Sequence, residues 1–229
     1  RRWRLLLALP AGPGRPAQLN GMRILVPFEA ARPKTRLGGV LDADERDAFA
    51  RAMLQDVLVA CLDAGHDPEV VATAAVSVDE PVPVTVDDRP LSDAVNAQLA
   101  ATSDPLAVVV ADLALLTPAA VDRLVDAGAD ADVAIAPGRG GGTNGLVVSH
   151  SDFRVDFHGV SFRDHLDAAA ALGADVRVVD SMRLSTDVDE PADLVEVLLH
   201  GDGEAAAWLR ESGFELGAGE GRVGIERME

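Results

Sequence analysis

Apolar residues follow two rhythms in this chain. Short unbroken apolar runs alternate with longer stretches in which apolar residues recur at helical spacing. Residues 23–27 read as a first buried strand, and a polar loop over 28–41 carries Pro33 and the Gly38-Gly39 pair. Asp42 opens a helix with Glu45 in capping-box position, Phe49, Met53, Val57 and Cys61 forming its stripe and Gly65 ending it. Strands are predicted at 69–74 and 82–86, then a turn at Asp87 to Pro90 and a helix from Ser92 to Ala101. Residues 106–111 are wholly apolar, as in a strand covered on both faces of a parallel sheet, and end in Asp112. Thr117-Pro118 starts a helix to Ala127, with Pro at its first position. Strands at 132–136 and 146–149 flank a glycine-rich stretch from Gly138 to Gly145. A helix over 161–172, a strand over 176–179 and a helix from Glu190-Pro191 to Leu199 complete the alternation. The tail, 201–229, predicts a short amphipathic helix and a last strand at 222–227. This is an α/β pattern with a mostly parallel central sheet flanked by helices.

Charge narrows the partners. The 229 residues hold 38 Asp+Glu against 20 Lys+Arg, a net charge of −18. Such a surface argues against nucleic acid and against an anionic membrane. Aromatics make up 3% with no tyrosine, which leaves little to stack on bases. Acid richness, arginine in place of lysine and small apolar residues fit a halophile, because molar salt shortens the Debye length to about 3 Å. The single cysteine, Cys61, sits on an apolar helix face and reads as core. Residues 1–21 begin with arginines and a short leucine run, too short to span a bilayer. They read as an extension ahead of a working domain over 22–200, with 201–229 a C-terminal extension packed on it. The cytoplasm is the expected location.

Lys34 is the sole lysine, set in Arg32-Pro33-Lys34-Thr35-Arg36 just past the first strand. Cations reserved there suit a polyanion such as a nucleoside triphosphate. The loop is neither a P-loop nor a dinucleotide fingerprint. Asp112, at the carboxyl end of an apolar strand, suits a hard oxygen ligand for Mg²⁺. Asp187 and Asp189 lie two apart and share one side of an extended stretch, so they could join Asp112 on a cation; Asp189 could equally cap the next helix. The glycine-rich run reads either as an anion cradle or as a surface loop. The histidines show no metal-ligand spacing, and His165 reads as structural or as a neighbour of phosphate.

The order of these motifs resembles the 2-phospho-L-lactate guanylyltransferase family, a branch of the nucleotidyltransferases. It rests on P-K-T-R-L (33–37), A-F-A-R-A-M-L-Q-D-V-L (48–58), L-S-D-A-V-N-A-Q-L (91–99) and A-D-L-A-L-L-T-P (111–118). It rests further on G-G-T-N-G-L (141–146), F-H-G-V-S-F-R-D-H-L (157–166) and D-V-D-E-P-A-D-L (187–194). The resemblance implies a single-domain Rossmann-like nucleotidyltransferase fold, and transfer of a guanylyl group from GTP to a small phosphorylated hydroxy acid on the way to coenzyme F-420. It further implies Mg²⁺ on Asp112, Asp187 and Asp189, with Lys34 and Asp112 catalytic. Arg32, Lys34, Arg36, Leu91 and Asn96 would hold nucleotide, and Thr143, Gly159 and Ser161 the acid. A homodimer is implied as well.

Overall fold

Ile24, Leu25 and Val26 are all fully buried, although neighbours on a strand face opposite ways. Two helical layers make this possible. The computed structural model describes residues 21–217 and 223–228. Its strands β1 (Arg23–Phe28), β2 (Asp67–Ala72), β3 (Val84–Val86), β4 (Leu106–Val109), β5 (Val133–Pro137), β6 (Thr143–Val148) and β7 (Val176–Val178) form one sheet, ordered β3-β2-β1-β4-β6-β5-β7. All neighbours are parallel except β6, which is antiparallel to both β4 and β5.

Helices α1 (Ala43–Asp63), α3 (Pro118–Ala129), α6 (Leu194–His200) and α7 (Glu204–Glu211) cover one face. There Ile24 and Val26 of β1 meet Ala107 and Val109 of β4. Helices α2 (Leu91–Ala100) and α4 (Ser161–Leu172) cover the other face with Phe153, over Leu25, Leu106 and Val108. Helix α1 starts as its sequence dictates: Asp42 accepts the Glu45 N–H and Glu45 accepts the Asp42 N–H, each at 2.9 Å.

Three features depart from the pattern reading. Strand β6 begins at Thr143, inside the glycine-rich stretch, because Gly145 pairs with Val109 and with Ala136. A Cβ on Gly145 would stand 2.8 Å from Leu124 Cδ2, so this glycine serves a close helix-to-sheet approach. The helix expected from Glu190 is a 3-10 turn over 191–193 followed by α6. A short helix α5 (Met182–Ser185) and strand β8 (Phe214–Gly217) were not foreseen.

The tail returns to α1. Asp56 of α1 accepts the Glu204 and Ala205 N–H groups at 2.6 and 3.0 Å, capping α7. The Phe49 and Trp208 rings pack with centroids 5.4 Å apart, tilted by 39°. Strand β9 (Gly224–Arg227) pairs antiparallel with β8, and Arg227 reaches Glu45 at 2.5 Å. Arg222 of the predicted last strand lies outside the described residues, as do residues 1–20 of the N-terminal extension. Among the described residues no helix is long and apolar enough to cross a membrane.

Candidate active site

Strands β1 and β4 lie side by side, with β2 flanking β1 and β6 flanking β4, and a crevice opens beyond their carboxyl ends. A cavity of about 720 Å³ occupies it. Its wall on the β1 side is built by Glu29. That carboxylate accepts the Ala31 N–H at 2.8 Å, the Arg32 N–H at 3.4 Å and the Thr73 hydroxyl at 2.8 Å. Burial pushes the Glu29 pKa up, but these donors and Arg32 outweigh it and hold the carboxyl below its ordinary range.

The chain then turns through Lys34, whose φ of 49° is the only positive value at a non-glycine among the described residues. This left-handed conformation costs about 1–2 kcal/mol. A 3-10 turn over 35–39 follows, anchored by buried Leu37. The turn sends the Lys34 ammonium inward, where Nζ donates to Asp112 Oδ2 at 2.6 Å and to Asp189 Oδ1 at 2.9 Å. Arg36 donates to the other Asp189 oxygen at 3.4 Å. Burial pulls the Lys34 pKa down, yet the two carboxylates prevail and raise it, so the group stays charged.

Asp112 and the segment after α5 are tied by backbone: the Val188 N–H donates to Asp112 O at 3.1 Å. That bond sets Asp187 and Asp189 on either side of Val188. Asn144, at the start of β6, donates to Leu184 O and to Asp187 Oδ1, both at 3.0 Å. Burial raises the Asp187 pKa; the Asn144 bond opposes this, and the charges of Asp112 and Asp189 add to it. Asp189 points at Lys34 and Arg36 and does not cap a helix; Asp193 accepts the Asp189 and Glu190 N–H groups instead.

The expected site residues fall into two groups. Lys34, Arg36, Asp112, Asp189 and Leu91 all line the cavity, with Asp187 beside Asp112. Arg32 is exposed on the loop. Asn96 does not line the cavity: its amide bonds both the N–H and the C=O of Val155 at 2.9 Å. Thr143 and Ser161 are buried together behind the rim, their hydroxyls 3.4 Å apart, while Gly159 is exposed with φ of 57°.

His165 joins that second group. Its Nε2 accepts the Asp156 N–H at 2.9 Å, so its proton sits on Nδ1 and is donated to Thr143 Oγ1 at 2.9 Å. Burial drives its pKa down to about 4, against the pull of Asp156 and Asp164. The ring is therefore a neutral strut. Ser92 completes the frame by accepting the Phe157 N–H at 2.9 Å. Neither Ser92 nor Asn144 carries a sequence signal of this role, since each partner is distant in the chain.

Among the described residues no cluster of three or more His, Cys, Asp or Glu is ready to hold a metal. Asp112 and Asp189 nevertheless converge on one cationic position, now filled by the Lys34 ammonium. Asp112 Oδ1 is buried with no hydrogen-bond partner. Carboxylate oxygens, one of them unspent, fit a hard divalent ion by donor chemistry.

The sheet order and this rim of charge define a nucleotidyltransferase fold. A Desulfovibrio desulfuricans protein named for nucleotide-diphospho-sugar transfer shares it, with a TM-score of 0.67 at 17% identity over 84% of this chain and 95% of that one. A mycobacterial rv0371c homolog shares it with a TM-score of 0.52 at 19% identity, over 82% and 98%. These likenesses speak for the fold alone. The guanylyl transferase CofC-like family model matches residues 22–227, and the chain belongs to that family. It is 60% identical over 206 residues to a protein of Halomicrobium mukohataei, covering 90% of this chain and 100% of that one. A Halorubrum lacusprofundi protein is 56% identical over 216 residues, with 90% and 100% covered. Both carry the name 2-phospho-L-lactate guanylyltransferase, and the halophile composition fits them.

Proposed function

We propose that this chain is a guanylyltransferase that joins GTP to (2S)-2-phospholactate, giving lactyl-2-diphospho-5'-guanosine and pyrophosphate for coenzyme F-420. Family membership and the relatives' names support the reaction. The observation that carries the site is the meeting of Lys34 and Arg36 with Asp112 and Asp189 at one rim of a cavity of about 720 Å³. That volume lies in the range of small-molecule sites.

In this reading the nucleotide lies along the cavity, its base toward Pro90 and Leu91 and its phosphates toward Lys34, Arg36 and the exposed Arg32. Mg²⁺ held by Asp112 with Asp187 and Asp189 would supply charge neutralisation at the α-phosphate and the leaving pyrophosphate. Lys34 and Arg36 bind the triphosphate oxygens and stabilise charge as pyrophosphate departs. The attacking group is a phosphate monoester with a second pKa near 6, so it arrives ionised and needs no general base. A neutral His165 agrees with that. Thr143 accepts from His165, which leaves its hydroxyl hydrogen free for an anionic oxygen of the acid. Ser161 opens α4, and the N–H groups at a helix start favour the same anion. Alignment of the phosphate oxygen with the α-phosphorus does the rest. The working unit is a cytoplasmic homodimer, and light scattering in molar KCl checks the assembly.

A coupled pyrophosphate assay in molar KCl tests the reaction. Release is expected with GTP plus 2-phospholactate and not with either alone, and more slowly with ATP or CTP. Equal release with phosphoenolpyruvate would reassign the acid. No release with any phosphorylated three-carbon acid would overturn the reading.

A further inference from the structure

Lys34 occupies the space between two carboxylates that the proposed reaction gives to a metal. Its Nζ stands 2.6 Å from Asp112 and 2.9 Å from Asp189. Divalent ions sit about 2.0–2.6 Å from carboxylate oxygen, so an ion on the same oxygens would overlap the ammonium. Both are cations, and two positive charges do not share one buried position. We propose that Lys34 is an exchangeable resident counter-ion: it holds Asp112 and Asp189 together in the free protein and leaves them when a divalent ion enters with the triphosphate. The proposal rests on the nucleotidyltransfer reading of this rim and adds how the rim is kept and opened.

Three further observations favour exchange over a permanent ion pair. Lysine is a point charge on a flexible stem, able to swing, whereas every other side chain of fixed positive charge in the sequence is an arginine. The Lys34 side chain is 12% exposed and borders the cavity, so the triphosphate would arrive beside it. Asp112 Oδ1 has no partner even though Oδ2 holds the ammonium, which leaves an acceptor for an incoming cation. The consequence is coupling. Metal alone must displace Lys34 into water, while metal arriving with triphosphate hands the ammonium a new anion. By linkage, nucleotide then favours metal by the same factor as metal favours nucleotide.

Mn²⁺ titration without nucleotide, at fixed KCl, tests this. Lys34→Met keeps the apolar stem and removes the charge; it is expected to bind Mn²⁺ at least about tenfold tighter than wild type, a difference of about 1.4 kcal/mol. Adding Asp112→Asn to Lys34→Met is expected to abolish the gain, which places the ion. Equal or weaker Mn²⁺ binding by a folded Lys34→Met protein overturns the proposal. Should that variant fail to fold, the wild type answers alone. Because Lys34 is the sole lysine, lysine labelled with ¹³C at Cε gives one signal for the chain. Saturating Mg²⁺ should move it toward the position of free lysine, and an unmoved signal overturns the proposal. Neither titration contains GTP or acid, so its outcome is independent of the pyrophosphate assay.

Discussion

At the scale of single residues, the proposed function rests on charge placement. Asp112→Asn removes one of the two carboxylates that face Lys34, and Lys34→Ala removes the cation itself. Each is expected to lower guanylyl transfer by about a hundredfold to a thousandfold, as loss of a preorganised electrostatic group does elsewhere. Steady-state kinetics with circular dichroism as the folding control checks both. Thr143→Val separates binding from chemistry. It should raise KM for the acid by about tenfold or more, the value of a hydrogen bond to a charged group, and leave KM for GTP unchanged. His165 makes a claim about pH. Its folded pKa of about 4 lies below the unfolded value, so the unfolded chain binds the extra proton. The stability His165 contributes is fully present above about 6.5 and is lost as pH falls toward 4. No inflection from His165 is expected in the rate between pH 5 and 8.

Elements meet at close approaches that tolerate no added atoms. A Cβ on Gly128 of α3 would stand 2.4 Å from Val147 Cγ1 of β6. Gly128→Ala is therefore expected to destabilise by about 1–3 kcal/mol, as overpacking does, and to lower Tm by about 2–4 °C per kcal/mol. Thermal melting in molar KCl reads it. The α1–α7 junction carries the opposite pH signature to His165. Burial, with Glu204 and Asp202 nearby, raises the Asp56 pKa to about 6 against its two N–H donors. With an ordinary value of 3.8 in the unfolded chain, the folded state holds the extra proton between the two values. Stability from this group is thus present at low pH and lost as pH rises through about 6. Denaturant titrations between pH 4 and 7 on Asp56→Ala should lack that loss.

The whole molecule carries a net charge of −18. Self-repulsion is screened when the Debye length falls to about 3 Å near 1 M salt and persists when it is about 10 Å near 0.1 M. Tm is expected to rise steadily from dilute to molar KCl, and a flat curve would refute a salt-tuned surface. The cavity shares this acidity: Lys34, Arg36 and Arg89 face Glu29, Asp87, Asp88, Asp112 and Asp189 along its lining, so a triphosphate is expected to approach best together with a divalent cation.

The sequence by itself determined the α/β alternation, the mostly parallel core and the family. Burial on both faces writes itself as unbroken apolar runs, and Asp112 closely follows one of them while Lys34, Asp187 and Asp189 lie in the segments after two others. Capping at Asp42 and Glu45 was equally legible, because its partners are three residues apart. Only the tertiary structure decided that β6 runs antiparallel and begins at Thr143, that Asn96 braces Val155, and that His165 stands behind Thr143. It also decided that Lys34 lies between Asp112 and Asp189. These contacts join residues far apart in the chain, and no local periodicity encodes a partner that the fold must first bring near.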